Sequence, residues 1–210
     1  MDASQNHSST ALQIILASAS PRRAQLLRQV GIEPVCLPAN IDETPRSEEG
    51  PQSLCRRLAQ AKAASIAQQV AGTEKEQMPV LGSDTIVVLG ECILGQPRDA
   101  EDARSMLRLL SGRTHQVMTA VALWHQGRWA EAISISDVSF RPLREAEIQD
   151  YVATGEPMDK AGAYAIQGRA AAFIPEIRGS YSGIMGLPLF ETLTLLQQAV
   201  LSPGGMEPGE

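Results

Sequence analysis

Residues 12–23 read Leu-Gln-Ile-Ile-Leu-Ala-Ser-Ala-Ser-Pro-Arg-Arg. An apolar run of strand length stops at two serines, and a proline with two arginines opens a segment that carries Leu26, Leu27 and Val30 on one stripe. The pattern predicts a buried strand over 12–17 that passes at once into a helix over 21–30, closed by Gly31. Ser20 is placed to cap that helix and Pro21 suits its first turn. The first amides of such a helix have no partner inside it and, with the positive end of the helix dipole, make a seat for an anion. Two guanidinium groups on the same turn oppose the dipole. An anion between amides and arginines would remove the conflict; a solvated arginine pair is the plain alternative.

Beyond this junction strands and helices continue to alternate. A second short strand is expected over 33–37, a loop over 38–50, a long helix over 51–70 and a strongly apolar strand over 78–89. A turn at Gly90-Glu91 leads to a return strand over 92–94, and a helix over 99–110 begins at Asp99 as its cap. Two long strands over 114–124 and 129–141 flank His125-Gln126-Gly127-Arg128 and read as a hairpin. A helix over 144–154, a small-residue stretch over 158–168, a strand over 171–177, an extended piece over 182–186 and a last helix over 187–201 complete the chain. Strands alternating with helices and then a hairpin predict an α/β fold with a mixed sheet. Residues 1–11 and 202–210 read as polar or Gly- and Pro-rich tails flanking one domain over 12–201.

Composition narrows the function. The 210 residues suit one large domain or two small lobes. A formal net charge of −6 argues against binding a nucleic-acid polymer but not against a small phosphorylated ligand held by a local basic cluster. Cys36, Cys55 and Cys92 are odd in number and far apart, which fits a reducing compartment rather than a disulfide framework or a zinc site. Residues 12–20 imitate a secretory signal, but the flank before them has no lysine or arginine and the apolar run is too short. No segment approaches the length of a membrane span. The expected setting is the cytoplasm, without membrane contact. Neither a Gly-x-Gly-x-x-Gly after a strand nor a P-loop motif occurs. His7, His115 and His125 lack metal-ligand spacing, and His115 reads as a packed or edge residue.

Two charged residues stand where apolar ones are expected. Asp84 lies in the middle of the 78–89 strand, where aspartate is depleted and expensive to bury. Gly82 before it either lets something approach the backbone closely or marks a bulge. Lys62 falls on the apolar arc of the 51–70 helix with Leu58 and Ile66, while Arg56 and Arg57 fall on the far side. Such a lysine snorkels outwards or aims into a cleft. The loop residues Asp42 and Glu43 are either solvated or oxygen ligands for a hard cation.

Four segments in this order resemble the signatures of the Maf proteins, nucleoside triphosphate pyrophosphatases: Leu16-Ala17-Ser18-Ala19-Ser20-Pro21-Arg22-Arg23; Gly82-Ser83-Asp84-Thr85-Ile86-Val87; Asp159-Lys160-Ala161-Gly162-Ala163-Tyr164 with Ile166-Gln167-Gly168; and Gly179-Ser180-Tyr181 with Gly186-Leu187-Pro188-Leu189. The resemblance implies an elongated α/β fold like that of inosine triphosphatases, with two lobes around a central cleft. It implies hydrolysis of a nucleoside triphosphate to the monophosphate and pyrophosphate with a divalent cation, Mg²⁺ or Mn²⁺. Arg22, Thr85 and Gln167 are similar to the residues with which the dTTP and UTP branch chooses its base. By the same resemblance Asp84 is the general base, Glu43 and Asp84 hold the metal, and Ser18, Arg23, Lys62 and Gln96 hold the substrate.

One position departs from the family pattern: Gln96 stands before Pro97 where lysine is usual. Glutamine keeps hydrogen-bonding ability and loses the charge, and Arg98 is close enough in sequence to compensate. A regulator of septum formation that binds nucleotide without turning it over, and a pyrophosphatase for 7-methyl-GTP or another modified nucleotide, are the alternative functions. The apolar strands over 114–141 could support a homodimer, and nothing in the sequence requires one.

Overall fold

The computed structural model describes residues 12–201, so the expected tails lie outside the described residues. The element order is β1 (Ile14–Leu16), α1 (Pro21–Gln29), β2 (Pro34–Cys36), α2 (Pro51–Val70), β3 (Val80–Leu89), β4 (Cys92–Leu94), α3 (Ala100–Leu110), β5 (Thr114–His125), β6 (Arg128–Ser139), α4 (Glu145–Ala153), β7 (Glu176–Arg178), α5 (Tyr181–Met185) and α6 (Leu189–Leu201), with 3-10 turns at Ala161–Ala163 and Arg169–Phe173. The seven strands form one mixed sheet in the order β2-β1-β3-β5-β6-β7, and β4 also pairs with β3. The expected α/β class with a mixed sheet is the observed one. Pairing is parallel for β1 with β2 and β3, and antiparallel elsewhere.

The register along β3 creates the feature that matters. One edge of β3 is occupied by β5 over residues 80–88. Both β1 and β4 must therefore share the other edge. β1 reaches only Val80 and Leu81, and β4 only Val87 to Leu89. Between them residues 82–86 have no strand on that edge. The sheet is split there, because β1 ends at Leu16 and the chain turns into α1.

Helix α2 covers one face of this split. Its Leu54, Cys55, Leu58, Ala59, Ala63, Ile66 and Val70 are buried, as the 3.6-residue periodicity requires. Gly82 allows the close approach: a Cβ there would lie 2.1 Å from Ala59 O and 2.8 Å from Ala63 N. Of its two readings, close approach of another backbone is the observed one. Side chains alternate along β3, so Asp84, Ile86 and Val88 face α2 while Ser83, Thr85 and Val87 face the opposite side. On that opposite side one core gathers Val87, α3, α4 and the 3-10 turns, and another joins β1, α1 and α6 with Leu81, Val121 and Leu123. His115 is a packed core residue: Nε2 lies 2.8 Å from Tyr164 Oη, Phe140 stacks edge-on, and burial pushes its pKa down to about 4.

Between Gly168 and Leu189 the structure differs from the sequence expectation. The strand expected over 171–177 is a 3-10 turn, Arg169–Phe173, followed by three strand residues that pair with β6. Three consecutive alanines there favour helical backbone over pleated backbone. The extended piece expected over 182–186 is the short helix α5, capped by Ser180, whose Oγ accepts from Gly183 N at 3.0 Å, and ended by Gly186 at φ 118°. The last helix starts at Leu189 rather than 187, since Pro188 precedes its first turn. Other boundaries shift by one or two residues.

Gly82→Ala should drive α2 off the sheet, because the atoms a Cβ would meet are backbone. Overpacking of this kind typically destabilises by about 1–3 kcal/mol. A urea titration of the variant should show a lower midpoint; an unchanged midpoint would refute the close-packing account.

Candidate active site

The split in the sheet opens into a cavity of about 490 Å³, within the range of small-molecule sites. Its wall includes Arg22, Arg23, Lys62 and Lys160 as cations and Glu43, Asp84 and Asp159 as anions. These come from α1, the 38–50 loop, α2, β3 and the 158–168 stretch.

Asp84 and Lys62 are 5% and 9% exposed, so each needs a partner, and each is the other's: Lys62 Nζ donates to Asp84 Oδ1 at 2.7 Å. The same ammonium lies 2.8 Å from Glu43 Oε1. Lys62 therefore aims into the cleft rather than snorkelling outwards. An ammonium has three donors, so one is left after the two carboxylates. Cys55 Sγ sits 3.3 Å from Asp84 O, and burial pushes its thiol up to about 12, which makes it a fixed donor rather than a nucleophile.

Glu43 is brought to Lys62 by its neighbours. Asp42 Oδ1 accepts from Thr44 N at 2.9 Å, and Arg57 Nη2 donates to Thr44 O at 3.1 Å. Arg57 also forms a two-pronged pair with Glu49 at 2.6 and 2.7 Å, and Glu49 Oε2 accepts from Arg46 N. Sequence reasoning placed Arg57 on the far side of α2 and gave it no role; its length lets it reach back to the loop. The side-chain amphipathicity of the helix holds no signal for that contact.

The arginine pair is not a solvated one. Arg23 donates from Nε to Gly186 O at 2.8 Å, from Nη1 to Ser18 Oγ at 3.1 Å and from Nη2 to Thr85 Oγ1 at 3.2 Å. A guanidinium has five N–H donors, so two remain. Burial pushes the Arg23 guanidinium below its usual pKa while the Asp84 carboxylate opposes the shift. An anion in the cavity would compensate that desolvation. Arg22 pairs with Asp159 Oδ2 at 2.9 Å across the cleft. The predicted cap differs in detail: the Ser20 side chain makes no cap bond, and its N–H donates instead to Ser18 Oγ at 3.1 Å. Pro21 has no N–H to offer, and Ser20, Arg22 and Arg23 all face the cavity.

The remaining expected residues fall into two groups. Thr85, Gln96 and Gln167 line the cavity. Thr85 accepts from Arg23 and lies 3.0 Å from Thr119 Oγ1, which in turn donates to Gly183 O at 2.7 Å. Gln96 Nε2 lies 3.4 Å from Asp159 O. Ser18 is buried behind the wall and reaches the cavity through Arg23 and the backbone of Ser20. Asp159 and Lys160, paired to each other at the cavity wall, were given no role from sequence, although two charges amid small residues stood out in the stretch.

The donor set suits a hard cation. Two carboxylates converge on one point where a positive nitrogen now lies, and no group of three or more metal-ligating side chains is assembled among the described residues. Mg²⁺-type ions are commonly held by one or two carboxylates and complete their shell with phosphate oxygens and water. Glu43 and Asp84 fit that pattern and do not form a closed cage.

The sequence is similar to known proteins over nearly its whole length. A family model described as Maf-like protein matches residues 13–199. A dTTP/UTP pyrophosphatase of Aromatoleum aromaticum is 53% identical over 194 residues, covering 88% of this chain and 94% of the relative. Proteins of the same name from Saccharophagus degradans and Nitrosomonas europaea are 47% and 48% identical, covering 91% and 90% of this chain and 90% and 95% of theirs.

The Glu49–Arg57 pair carries a pH signature. Its hydrogen bonds hold the Glu49 carboxyl at about 2, below the ordinary 4.5. A carboxylate depressed on folding stabilises above its unfolded value and loses that contribution as pH falls through the folded one. The urea midpoint of the parent should exceed that of Glu49→Gln at pH 6, with the gap closing from about 4.5 down to about 2. A gap independent of pH would contradict this anchoring of the Glu43 loop.

Proposed function

The chain belongs to the Maf-like protein family, and from that premise we propose that it hydrolyses dTTP and UTP to the monophosphate and pyrophosphate. One observation carries the reading: Lys62, Asp84 and Glu43 meet within 2.8 Å contacts beside Arg22 and Arg23 in a single cavity. That constellation belongs to a chain about half identical to several dTTP/UTP pyrophosphatases.

The chemistry follows from the parts. The triphosphate lies along the cationic wall, where the free donors of Arg23 and Lys62 neutralise oxygens of the chain. Asp84 accepts a proton from a water; the water oxygen bonds to the α-phosphorus and the bond from the α-phosphorus to the bridging oxygen breaks, releasing pyrophosphate. A positioned base contributes roughly 10²–10⁴-fold. A divalent cation, Mg²⁺ or Mn²⁺, would be held by Glu43 and Asp84 and supplies charge neutralisation at the phosphates when bound. Arg22 and Gln167 lie where the base enters, and Thr85 acts through its hold on Arg23. Ser18 orients the same guanidinium. Gln96 supplies a neutral hydrogen bond at the rim.

Three free cysteines suit a reducing cytoplasm, and no helix among the described residues is long and apolar enough to cross a membrane. A second copy, if one binds, has the exposed Trp129 and Ile135 of β6 to use.

Pyrophosphate release measured over a nucleotide panel with Mg²⁺ or Mn²⁺ should be fastest for dTTP and UTP. Asp84→Asn should lower it by roughly 10²–10⁴-fold, measured under conditions where a urea titration shows the variant folded, because Lys62 loses its buried charge partner. Binding without release on any triphosphate would favour the regulator, and preference for 7-methyl-GTP the modified-nucleotide enzyme. Gln96→Lys should raise kcat/KM: a charge-assisted hydrogen bond is worth roughly 1.5–3 kcal/mol. No gain would mean that the rim already supplies the charge.

A further inference from the structure

Gln167 is exposed in the cavity, and no protein hydrogen bond reaches its side chain among the described residues. An amide that distinguishes one base edge from another must be presented in a fixed place, and a side chain on an irregular stretch is fixed only if its backbone is. The structure supplies that fixing from α4 and the turn after it. Tyr151 Oη accepts from Ala165 N at 3.1 Å and donates to Glu156 Oε1 at 2.8 Å. Glu156 Oε2 accepts from Arg169 N at 3.2 Å. The two anchored amides bracket Gln167, and the turn between them is closed by Gly168 N donating to Ala165 O at 3.0 Å.

The carboxylate lies flat against this turn. A Cβ on Gly168 would stand 2.1 Å from Glu156 Oε1, so a side chain there would displace the carboxylate from the turn. The Tyr151 ring is itself wedged: it is 2% exposed and packs edge-on to Phe173 at 5.3 Å between ring centroids. Burial raises the pKa of its phenol, so the hydroxyl stays a donor to Glu156. The Glu156 carbonyl is also in use, accepting from Lys160 Nζ at 3.1 Å. Lys160 pairs with Asp159 and Asp159 with Arg22, so the bridge is tied to Arg22 as well as Gln167, two of the three cavity residues assigned to base choice.

We propose that Tyr151 and Glu156 are positioning residues for base selection, a hydroxyl–carboxylate bridge that sets the turn carrying Gln167 while touching neither substrate nor metal. The inference rests on the nucleotide pyrophosphatase reading and extends it to two residues outside the cavity. It separates base recognition from triphosphate recognition, because the bridge grips the base end of the cleft and leaves Lys62, Asp84 and Glu43 alone.

The test uses the full chain with Tyr151→Phe, which keeps the ring packing and deletes the hydroxyl, and with Glu156→Gln, which keeps one acceptor at most. The ratio of kcat/KM for UTP over CTP is measured beside inhibition by inorganic tripolyphosphate, which has no base. Tyr151→Phe removes both hydrogen bonds of the hydroxyl, from Ala165 N and to the Glu156 carboxylate; at about 0.5–1.5 kcal/mol for the neutral one alone, the ratio should fall at least roughly 3-fold, and less in Glu156→Gln. Tripolyphosphate inhibition should stay within about twofold of the parent by the same measure. An unchanged ratio overturns the proposal, and so does a parallel loss of tripolyphosphate inhibition, which would mark a general structural role. If the parent turns over no triphosphate, the pyrophosphatase reading fails by itself. Calorimetric affinities for UTP and CTP then decide the bridge: a ratio reduced in Tyr151→Phe supports it, and an equal ratio or absence of binding overturns it.

Discussion

The contact on which the rest of this structure turns is the ion pair between Lys62 and Asp84. Each charge is nearly withdrawn from water, and a buried charge deprived of its partner typically destabilises by about 3–5 kcal/mol. A pair of apolar residues in the same places would satisfy the core as well or better. The pair is therefore poorly explained by stability, and well explained by chemistry that needs a carboxylate and an ammonium at one point. Glu43 adds a third charge on the same nitrogen from a loop, and all three residues line the cavity.

The sheet gives that cluster its place. A strand interior is the most rigid setting a side chain can have, and an interior strand normally has both edges filled. Here β1 stops early and β4 starts late, so residues 82–86 combine the stiffness of a central strand with an open edge. Asp84 looks to one face and Thr85 to the other, and a ligand approaching along the opening meets both. The Arg23 network closes the far side, joining α1 to the end of α5 through Gly186 O, which accepts from Ser83 Oγ as well.

Much of this was legible in the residues because it is local. The strand–helix junction, the long helix and the hairpin each follow from periodicity and turn chemistry within a dozen residues. Asp84 and Lys62 stood out since each breaks an apolar pattern. The stretch from 169 to 186 was misread where elements are only three to five residues long: Ser180 and Gly186 did carry cap signals, but nothing periodic lay between them. Arg57, Glu49, Tyr151 and Glu156 were silent for another reason. Arg57, Glu49 and Glu156 are ordinary residues for helix surfaces and turns, Tyr151 is ordinary for the buried face of a helix, and their roles arise from partners that only the folded chain brings near. Ser18 is the intermediate case: its motif marked it, and the structure sets it one layer behind the wall.

The hairpin of β5 and β6 pairs residue for residue over its full length, from Thr114 with Ser139 to His125 with Arg128, and β5 binds β3 along nearly the same span. Such a continuous ladder passes beneath the whole cleft and resists bending about any axis across it. Engulfing a guest by hinging two halves together is thus mechanically disfavoured. Accommodation falls instead to the rim that bears Glu43, where a loop can shift by local torsions while the floor and the anchored turn bearing Gln167 stay still.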